Sequence, residues 1–295
     1  MKQLLKKIIP SFLKDWIKSA LKKKKFQTFK KKSTLLDFKT LEICFRDAGV
    51  EKGDVVFVHS SLKGLGYIEH GAKDVVEALK SVVTSEGTLV FPTFTIEDSM
   101  YNTLKNPDFI FDPKTTPSTV GAITNYFRNS EGTYRSIHPT HSVSAWGKHA
   151  RYITQEHYET GSNFGKGTPF GKMLELNGKI MGIGISYGPV TIYHAYEDLD
   201  LSKFPGVYLP QPLSTRIRLE DKKLINCNIF CHTPEYHKSR IDKTPEIESF
   251  FAKEFEKNIS HKSKIGDGYV WWMKTQELFG ELDRLYKEGR TIYQI

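Results

Sequence analysis

The stretch VVFVHSSLKGLG, residues 55–66, decides which fold to expect. It opens with four apolar residues directly after the turn at Gly53-Asp54, and such a run predicts a short strand that is buried on both faces. The segment 72–83 then repeats Val and Leu at helical spacing, and a second apolar run follows at 88–91. Strands that alternate with helices in this way predict an α/β fold.

The same alternation continues along the chain. We expect further helices at 36–50, at 119–129, from 191, at 245–257 and at 272–288, and further strands at 143–146, 179–185, 214–219 and 226–231. The segment 95–117 is rich in Pro, Asn and Asp, which predicts a long surface loop of the kind that often carries function. The chain is therefore predicted to hold one α/β domain, residues 33–295, behind a separate leader, residues 1–32.

The composition excludes several classes of protein. Of 295 residues, 39% are hydrophobic and 13% are aromatic, which is too apolar for an intrinsically disordered chain. The three cysteines, Cys44, Cys227 and Cys231, are too few and too scattered for a disulfide framework. No apolar run reaches the roughly 18 residues of a membrane-spanning helix. We therefore expect a reducing, cytoplasmic setting.

The formal charge of +9 is concentrated in the leader. Residues 1–32 hold twelve lysines and one acid, whereas residues 33–295 hold 31 basic and 33 acidic side chains. A protein that binds nucleic acid is expected to carry its basic patch on a motif that reads a groove or stacks bases, and the sequence shows no such motif. The nearly neutral body therefore predicts no nucleic-acid partner.

The leader combines an apolar stripe with lysines. Apolar residues recur in pairs every four positions from Leu4 to Ile17, as on one face of a helix, and lysines lie between them. A helix of this kind fits an anionic membrane surface, which would place the protein at the inner face of the membrane. It would also fit against the protein's own body or against a second subunit of a homo-oligomer.

The first candidate site residues follow the first strand. His59, Ser60, Ser61, Leu62 and Lys63 come after the apolar run, at the carboxyl end of a strand, where open α/β sheets bind ligands. Backbone N–H groups of such a loop can cradle a phosphate or an oxyanion. An ordinary strand-to-helix turn would contain the same small residues, so this loop alone does not identify a function.

Two further segments concentrate polar side chains. The one that begins at Arg135 adds Ser136, His141 and Ser142, and an arginine suits phosphate or carboxylate through its bidentate fork. His157 precedes a glycine-rich stretch, which would close over a substrate or form a plain surface turn. Both segments are therefore candidates for contact with a substrate.

The sharpest pattern is Thr191-Ile192-Tyr193-His194-Ala195-Tyr196-Glu197. Thr191 is a good helix N-cap, which would place His194 in the first turn. The positive end of the helix dipole disfavours imidazolium there, and a general base near pH 7 requires a neutral imidazole. Glu197 lies three residues further on the same face and can orient the ring or hold a cationic substrate group. A purely structural His–Glu pair is the alternative.

Taken together, these segments resemble the aminoglycoside 3-N-acetyltransferase family. The matching stretches are GDVVFVHSSLKGLG, GTLVFPTFT, RS-IHP-THSVSAWG, GTPFGKMLELNGKIMGIGI, TIYHAYE and KIGDGYVWWMK, and the likeness runs from about residue 38 to about residue 285. The resemblance implies an α/β fold of the αβα sandwich type around a mixed central sheet, distinct from the common acetyltransferase fold. It also implies acyl transfer from acetyl-coenzyme A, or another acyl-coenzyme A, to an amine on an aminosugar.

The resemblance also assigns roles to residues. The family's Thr-x-x-His-x-x-Glu motif matches Thr191, His194 and Glu197, with His194 as the base. Its His-Ser-Ser-Leu loop would meet the coenzyme, and its Arg-Ser pair matches the segment that begins at Arg135. The catalytic candidates are therefore His194, Glu197, His157 and His141. The candidates for coenzyme binding are His59, Ser60, Ser61, Leu62, Lys63, Arg135, Ser136, Ser142 and Thr191.

The charge of the body indicates which aminosugar to expect. A polycationic antibiotic requires a strongly acidic pocket, yet the acids near the candidate segments are few, among them Glu97, Asp98 and Asp200. Several basic side chains lie in the same segments, namely Lys63, Lys148, Arg151, Lys166 and Lys172. We therefore expect the acceptor to be a nucleotide-linked 3-amino deoxysugar, a precursor of bacterial surface glycan. An aminoglycoside antibiotic, inactivated by a resistance enzyme, is the alternative.

Two other classes of protein fit part of the pattern. A zinc hydrolase would use side chains such as His59, His141, His157, His194 and Glu197, but their spacing lacks a zinc motif, so we expect no metal. The cluster of Cys227, Cys231 and His232 is interpreted as incidental. A non-catalytic module that binds sugar would show the same residues without turnover. No cysteine lies in the candidate segments, which predicts direct acyl transfer without an acyl-cysteine intermediate.

Overall fold

A computed structural model describes residues 11–96, 98–188, 190–219, 221–239 and 244–293. Its helices are Ser11–Lys32 (α1), Phe38–Asp47 (α2), Ala72–Val83 (α3), Met100–Lys105 (α4), Ala122–Arg128 (α5), Ala150–Thr154 (α6), Pro169–Glu175 (α7), Tyr193–Leu199 (α8), Pro234–Ser239 (α9), Pro245–Asn258 (α10) and Thr275–Lys287 (α11). Its strands are Leu35–Leu36 (β1), Val55–Ser60 (β2), Tyr67–Ile68 (β3), Thr88–Pro92 (β4), Ile110–Phe111 (β5), Tyr134–Arg135 (β6), Val143–Gly147 (β7), Lys179–Ile183 (β8), Leu213–Arg218 (β9), Leu224–Ile229 (β10), His261–Ile265 (β11) and Gly268–Lys274 (β12). Within the described ranges, no helix has both the length and the apolarity to cross a membrane.

Seven of the described strands form one mixed sheet in the order β11-β12-β8-β2-β4-β7-β6. β2 lies between β8 and β4 and runs parallel to both, whereas the other four pairings are antiparallel. Helices α2, α3 and α5 cover one face of this sheet, and α7, α8, α10 and α11 cover the other. The expected αβα sandwich around a mixed central sheet is confirmed.

The residues of β2 show how the sheet comes to be buried on both faces. Val56 and Val58 belong to the core under α2, α3 and α5, whereas Phe57 belongs to the core on the opposite face. This alternation follows from the two-residue period of a strand. His59 therefore lies on the same face as Phe57, and the centroids of the two rings are 5.2 Å apart.

The three-stranded sheet has the order β10-β9-β5 and holds a small core of its own. This region shows that the prediction of a surface loop at 95–117 was wrong in part. The segment contains helix α4 and strand β5, and Phe111 of β5 is fully buried. β5 pairs with β9 over two residues, which is too short a strand for an alternating pattern to reveal it.

The C-terminal hairpin of β11 and β12 corrects a second prediction. The helix expected from 272 begins at Thr275, and Gly268–Lys274 form a strand that pairs antiparallel with β8. The indole nitrogens of Trp271 and Trp272 each donate to a backbone carbonyl oxygen, at 2.9 and 2.6 Å. These contacts with distant parts of the chain select the strand, and the local sequence pattern does not contain them.

Helix α1 accounts for the described part of the leader, residues 11–32. Its carboxyl end contacts the body, because the ring of Phe26 meets the ring of Tyr67 edge-on with centroids 6.0 Å apart. Most of its other described side chains are exposed. The first apolar pairs of the leader, in residues 1–10, lie outside the described residues. The division of the chain at residue 33 stays a prediction.

Candidate active site

A cavity of about 770 Å³ opens at the edge of the main sheet where three parallel strands end. His59 and Ser60 close β2, Pro92 closes β4, Ile185 follows β8, and all four residues line the cavity. The carboxyl ends of strands are the place where open α/β sheets bind ligands. Other lining residues come from loops and helices, among them Phe94, Asp98, His141, Phe164, Thr191, His194 and His232. Glu97, an acid expected near the site, lies outside the described residues.

His194 and Glu197 form a buried pair at this cavity. Both lie on α8, and Nδ1 of His194 is 2.8 Å from Oε2 of Glu197. A carboxylate accepts hydrogen bonds, so Nδ1 of the neutral ring carries the proton and donates it. In the neutral form of the ring, the pair therefore leaves the lone pair on Nε2.

Tyr293 holds Glu197 from the other side. Its hydroxyl donates to Oε1 of Glu197 at 2.8 Å, so each oxygen of the carboxylate has its own donor. The ring of Tyr293 packs on Tyr236, with centroids 4.2 Å apart. Tyr293 was not among the predicted site residues, and no local signal marks it, because 96 positions separate it from Glu197.

Thr191 lines the cavity. It was expected to cap α8, and this expectation was wrong. Ile192 occupies the N-cap position, and no side chain among the described residues caps this end. The chain enters the helix through a tight turn in which the carbonyl of Thr191 accepts the N–H of His194 at 3.0 Å. His194 does lie in the first turn of α8, but the group that fixes its ring is the carboxylate of Glu197.

Two aromatic rings pack against His194. The centroid of Phe164 lies 5.2 Å from that of His194, and the centroid of His232 lies 4.9 Å from it. The interpretation of Cys227, Cys231 and His232 as an incidental metal-like spacing stays a prediction, and no local sequence pattern indicated that His232 lines the cavity. Both cysteines lie in the small core, where burial raises the pKa of each thiol to about 11.

Asp198 braces the loop that carries Phe164. Its carboxylate accepts from the hydroxyls of Tyr208 and Ser162, at 2.6 and 2.7 Å, and from the N–H of Phe164 at 3.1 Å. Burial raises the pKa of Asp198 to about 6, although the three hydrogen bonds act in the opposite direction. These bonds fix the aromatic wall beside His194.

His59 brings another polar group to the cavity. Its side chain is buried, and burial lowers the pKa of the imidazole to about 4, so the ring is neutral at pH 7. Its Nε2 atom has no hydrogen-bond partner among the described residues. A buried polar atom without a partner is costly, and in native structures it usually indicates a water, an ion or a functional role. His59 therefore marks a place where a bound polar group would fit.

The loop after His59 is held tightly against the end of β8. The N–H of Ser61 donates to the carbonyl of the last residue of β8 at 2.8 Å. A Cβ atom on Gly64 would lie 1.9 Å from the carbonyl oxygen of Gly184, so a larger residue would force the two backbones apart. Of the loop residues expected to bind coenzyme, Ser60 lines the cavity, and Ser61, Leu62 and Lys63 are not part of its lining.

Ser136 and Ser142 are buried, Arg135 is partly buried, and none of the three lines the cavity. The guanidinium of Arg135 donates to the hydroxyl of Ser142 at 3.1 Å and to the backbone carbonyls of Thr93 and Thr116 at 2.8 and 2.5 Å. Burial lowers the pKa of Arg135 to about 9. These polar groups join the end of β4 to the β6–β7 edge, and contact of the three side chains with a coenzyme stays a prediction.

His157 is also buried away from the cavity lining. Its Nδ1 accepts from the hydroxyl of Ser136 at 3.0 Å, and its Nε2 donates to the carbonyl of Asn163 at 3.1 Å. Its ring stacks on His138 with centroids 4.4 Å apart. Burial lowers the pKa of His157 to about 3 and the pKa of His138 well below its usual value. These two rings, the buried histidine pair, are therefore neutral parts of the core.

His141 does reach the cavity. Its Nδ1 lies 3.0 Å from the hydroxyl oxygen of Thr140. Its ring meets Phe94 and Phe164 edge-on, with centroids 5.0 and 4.7 Å apart. The ring is therefore fixed in the cavity wall, between the strand end that carries Phe94 and the loop braced by Asp198.

Histidine and carboxylate donors come together at two places in the described residues. One group is His194, Glu197 and His232, the other is Glu69, His70 and Asp74, and the donor atoms of each group lie within 4.8 Å of one another. The zinc ligands considered from the sequence are not assembled, since His59, His141 and His157 belong to neither group. In the first group, Glu197 already accepts from His194 and Tyr293.

Comparison with known proteins identifies relatives of the α/β domain. The family model described as aminoglycoside 3-N-acetyltransferase matches residues 57–287. YokD of Bacillus subtilis strain 168, an SPbeta prophage-derived aminoglycoside N(3')-acetyltransferase-like protein, is 35% identical over 165 residues, which are 50% of this chain and 60% of that protein. An aminoglycoside N(3)-acetyltransferase III of Acinetobacter baumannii is 34% identical over 171 residues, 54% of this chain and 59% of that protein. The matched part thus spans about 60% of the length of these relatives.

Solved structures share the fold over most of the chain. A structure described as AAC-IIIb binary with CoASH has a TM-score of 0.68 and 18% identity, and the match covers 86% of this chain and 98% of that one. A structure described as AAC-VIa bound to sisomicin has a TM-score of 0.71 and 21% identity, with 88% and 100% covered. At these identities the likeness shows the fold.

The names of the family and of these relatives contradict the expectation of a nucleotide-linked sugar as acceptor. The family and both relatives are named for aminoglycosides, and none of these names refers to a nucleotide-linked sugar, so the expectation of a surface-glycan precursor was wrong. Net charge was a poor guide, because it sums over the whole surface, whereas an acceptor meets a small number of side chains. The family match extends from β2 into α11, and the chain therefore belongs to the aminoglycoside 3-N-acetyltransferase family.

Proposed function

We propose that this chain transfers the acetyl group of acetyl-coenzyme A to an amino group of an aminoglycoside. Membership of the family and the names of the two relatives support this activity. The observation that carries the proposal is the hydrogen-bonded chain of Tyr293, Glu197 and His194, which ends at a cavity large enough for a small-molecule substrate.

His194 acts as the general base in this proposal. An amine that is protonated at pH 7 cannot attack a thioester until it has lost a proton. Nε2 of His194 carries the lone pair and takes this proton, an effect typically worth about 10²–10⁴-fold in rate. The nitrogen–carbon bond then forms and the carbon–sulfur bond breaks. His194 returns its proton to the departing thiolate, and the second proton that the nitrogen loses on becoming an amide is released to solvent. No cysteine lines the described part of the cavity, which supports direct transfer.

Glu197 and Tyr293 position this base. The carboxylate of Glu197 holds the Nδ1 tautomer of His194 and stabilises the imidazolium that forms when the base takes a proton. Tyr293 is a positioning residue, because its hydroxyl fixes the second oxygen of Glu197 and prevents the carboxylate from rotating away. Removing the phenolic hydroxyl should therefore affect the rate of proton transfer more than substrate binding.

The other cavity residues are assigned to substrate contact. The partnerless Nε2 of His59, together with Ser60 beside it, supports contact with a polar group of the coenzyme at the end of β2. Asp98 supplies a carboxylate that would attract a cationic aminosugar. We assign His141 and Thr191 to the cavity wall. We assign the proton transfer to His194, because its ring is oriented by the carboxylate of Glu197.

The test is thiol release from acetyl-coenzyme A by the full chain, with gentamicin as acceptor. We expect turnover that depends on both substrates, with initial-velocity lines that intersect, and no loss of rate with EDTA. Glu197→Gln should lower kcat at least about tenfold. The matched control is Glu69→Gln, which changes an exposed carboxylate away from the cavity and should leave kcat unchanged. Absence of turnover with any aminoglycoside would contradict the proposal, parallel lines would contradict direct transfer, and a rate lost to EDTA would favour a metal enzyme.

A further inference from the structure

Helix α1 takes no part in the proposed reaction, and its composition differs from that of the body. Its 22 residues contain nine lysines and a single acid, Asp15, whereas the chain beyond residue 32 is nearly neutral. The same helix exposes large apolar side chains, with Trp16 67% and Leu21 53% exposed. Lysines alone would keep such a helix in water, so the exposed tryptophan and leucine indicate a surface that meets a partner.

The exposed apolar residues in the amino-terminal half of α1 lie on one face. Leu13, Trp16, Ile17, Ala20 and Leu21 follow the spacing i, i+3, i+4, i+7 and i+8, which places them in one stripe along about two and a half turns of helix. Every large side chain in this stripe is exposed in the structure. These five residues are called the apolar stripe below. Its exposure distinguishes it from single apolar residues scattered over a surface, which need no partner.

Lysines surround the apolar stripe. Lys14 and Lys18 lie along one flank of the stripe, and the run Lys22–Lys25 occupies all sides of the helical turn that follows it, including the side of the stripe. A lysine next to an apolar face can lay its methylene stem along that face and keep its ammonium group at a polar boundary. The helix therefore presents apolar surface and positive charge to the same side of space.

Neither the body nor a second copy accounts for this surface. Contacts with the body occur towards the carboxyl end of α1, where Phe26 meets Tyr67 and the ammonium group of Lys30 lies 4.6 Å from the centroid of the same ring. The apolar stripe precedes these contacts and stays exposed. Pairing with a second copy would bring two sets of nine lysines together, and like charges disfavour that contact.

We propose that α1 docks the protein on the surface of a bilayer that contains anionic phospholipid. The apolar stripe would enter the headgroup boundary, where tryptophan is favoured, and the lysines would contact lipid phosphates. Each lysine close to such a surface strengthens binding about fivefold, and salt weakens the effect. A nucleic acid would contact the lysines and leave the apolar stripe in water. A bilayer with anionic lipid accommodates both the lysines and the apolar stripe. The inference adds a location to the proposed reaction and does not alter its chemistry.

Vesicle sedimentation of the full chain tests the proposal. The probes are vesicles of equal parts phosphatidylglycerol and phosphatidylcholine, and vesicles of phosphatidylcholine alone. We expect binding to the mixed vesicles at least about a hundredfold tighter than to the neutral ones, and a large loss of binding in high salt. Equal binding to both compositions, or binding to neither, would overturn the proposal.

Matched variants separate the apolar stripe from the rest of the surface. Trp16→Ser combined with Leu21→Ser should weaken vesicle binding about tenfold or more, whereas Leu224→Ser, which removes a leucine of similar exposure from the body, should not. Unchanged vesicle binding by the double variant would overturn the proposal, as would equally tight binding of RNA or a dimer that Leu21→Ser dissolves. All these variants should keep full turnover of a free aminoglycoside, so a protein that binds vesicles without turnover would contradict the proposed function alone.

Discussion

His194 and His157 are both buried histidines with a hydrogen bond at Nδ1, yet the two bonds run in opposite directions. Nδ1 of His194 donates to the carboxylate of Glu197, and the ring lines the cavity. Nδ1 of His157 accepts from the hydroxyl of Ser136, while Nε2 donates to a backbone carbonyl and the ring stacks on His138. The first ring lines a cavity with its Nδ1 bonded to a carboxylate, and the second has partners for both nitrogens inside the fold.

A general base and a core histidine differ in the group that Nδ1 contacts and in access to the cavity. A carboxylate at Nδ1 stabilises the imidazolium that forms when Nε2 takes a proton, whereas a hydroxyl that donates to Nδ1 stabilises the neutral ring. Residue type and burial are the same in both places. The identity of the partner and the access to a cavity therefore decide the role, and each of the following experiments tests one part of that contrast.

The largest expected effect is on the rate after removal of the base. His194→Ala should lower kcat by about 10²–10⁴-fold, because the amine must then lose its proton to water. The midpoint of thermal unfolding should change little by comparison. Steady-state thiol release and thermal denaturation on the same preparation measure both quantities. A loss of activity milder than tenfold would contradict the role of His194.

The complementary experiment removes the ring of His157, one member of the buried histidine pair. His157→Ala should lower the free energy of unfolding by about 3 kcal/mol, because it leaves a cavity and frees the partners of two hydrogen bonds. Activity per folded molecule should stay within a few-fold of the parent. Denaturant unfolding and active-site-normalised rates provide the measurement. A stable protein with a hundredfold lower kcat would place His157 in the reaction and remove the contrast.

Acid stability provides a second test of the buried histidine pair. The pKa of His157 in the folded protein is about 3, below its usual value of 6.5, so the unfolded chain binds a proton first as the pH falls. The free energy of unfolding should therefore decrease with falling pH from about 6.5 towards 3, with a slope of about one proton from His157. His157→Asn should remove that part of the slope. Equal slopes in the two proteins would show that His157 titrates normally.

The smallest expected effect belongs to the positioning residue. Tyr293→Phe should lower kcat about three- to tenfold, the value of one hydrogen bond, while KM stays unchanged. Tyr269→Phe, at an exposed tyrosine of the C-terminal hairpin, is the matched control and should have no effect. The split between kcat and KM is the measurement, and a rise in KM with constant kcat would assign Tyr293 to substrate binding instead.

Local sequence patterns were sufficient to predict the helices and strands at the centre of the fold. Helix Ala72–Val83 has the expected bounds, and the apolar run of β2 lies in the middle of the sheet, because periodic burial on both faces leaves a strong trace in sequence. Short or irregular elements left no such trace, as β5 shows. The strand Gly268–Lys274 was also missed, since its pairing with β8 depends on residues almost a hundred positions away.

In the site, too, residues that are close in sequence could be predicted, and residues from distant parts of the chain could not. The motif around His194 and Glu197 is local, because the two residues share one turn of helix, and the structure joins them as expected. His232 and Tyr293 reach the site from distant parts of the chain, so spacing could not reveal them. The side chain of Arg135 donates to backbone carbonyls, since a cation rich in hydrogen-bond donors suits these as well as phosphate, and its contact with a coenzyme stays a prediction.

The most direct test of the account is the tautomer of His194 in solution. Nuclear magnetic resonance of the protein labelled with ¹⁵N-histidine distinguishes Nδ1–H from Nε2–H, and the signal absent from a His194→Asn variant identifies the residue. The account predicts a neutral ring at pH 7.5 with its proton on Nδ1, hydrogen-bonded to Glu197. A neutral ring with its proton on Nε2 would contradict it, because the nitrogen assigned to accept the proton of the amine would already carry one.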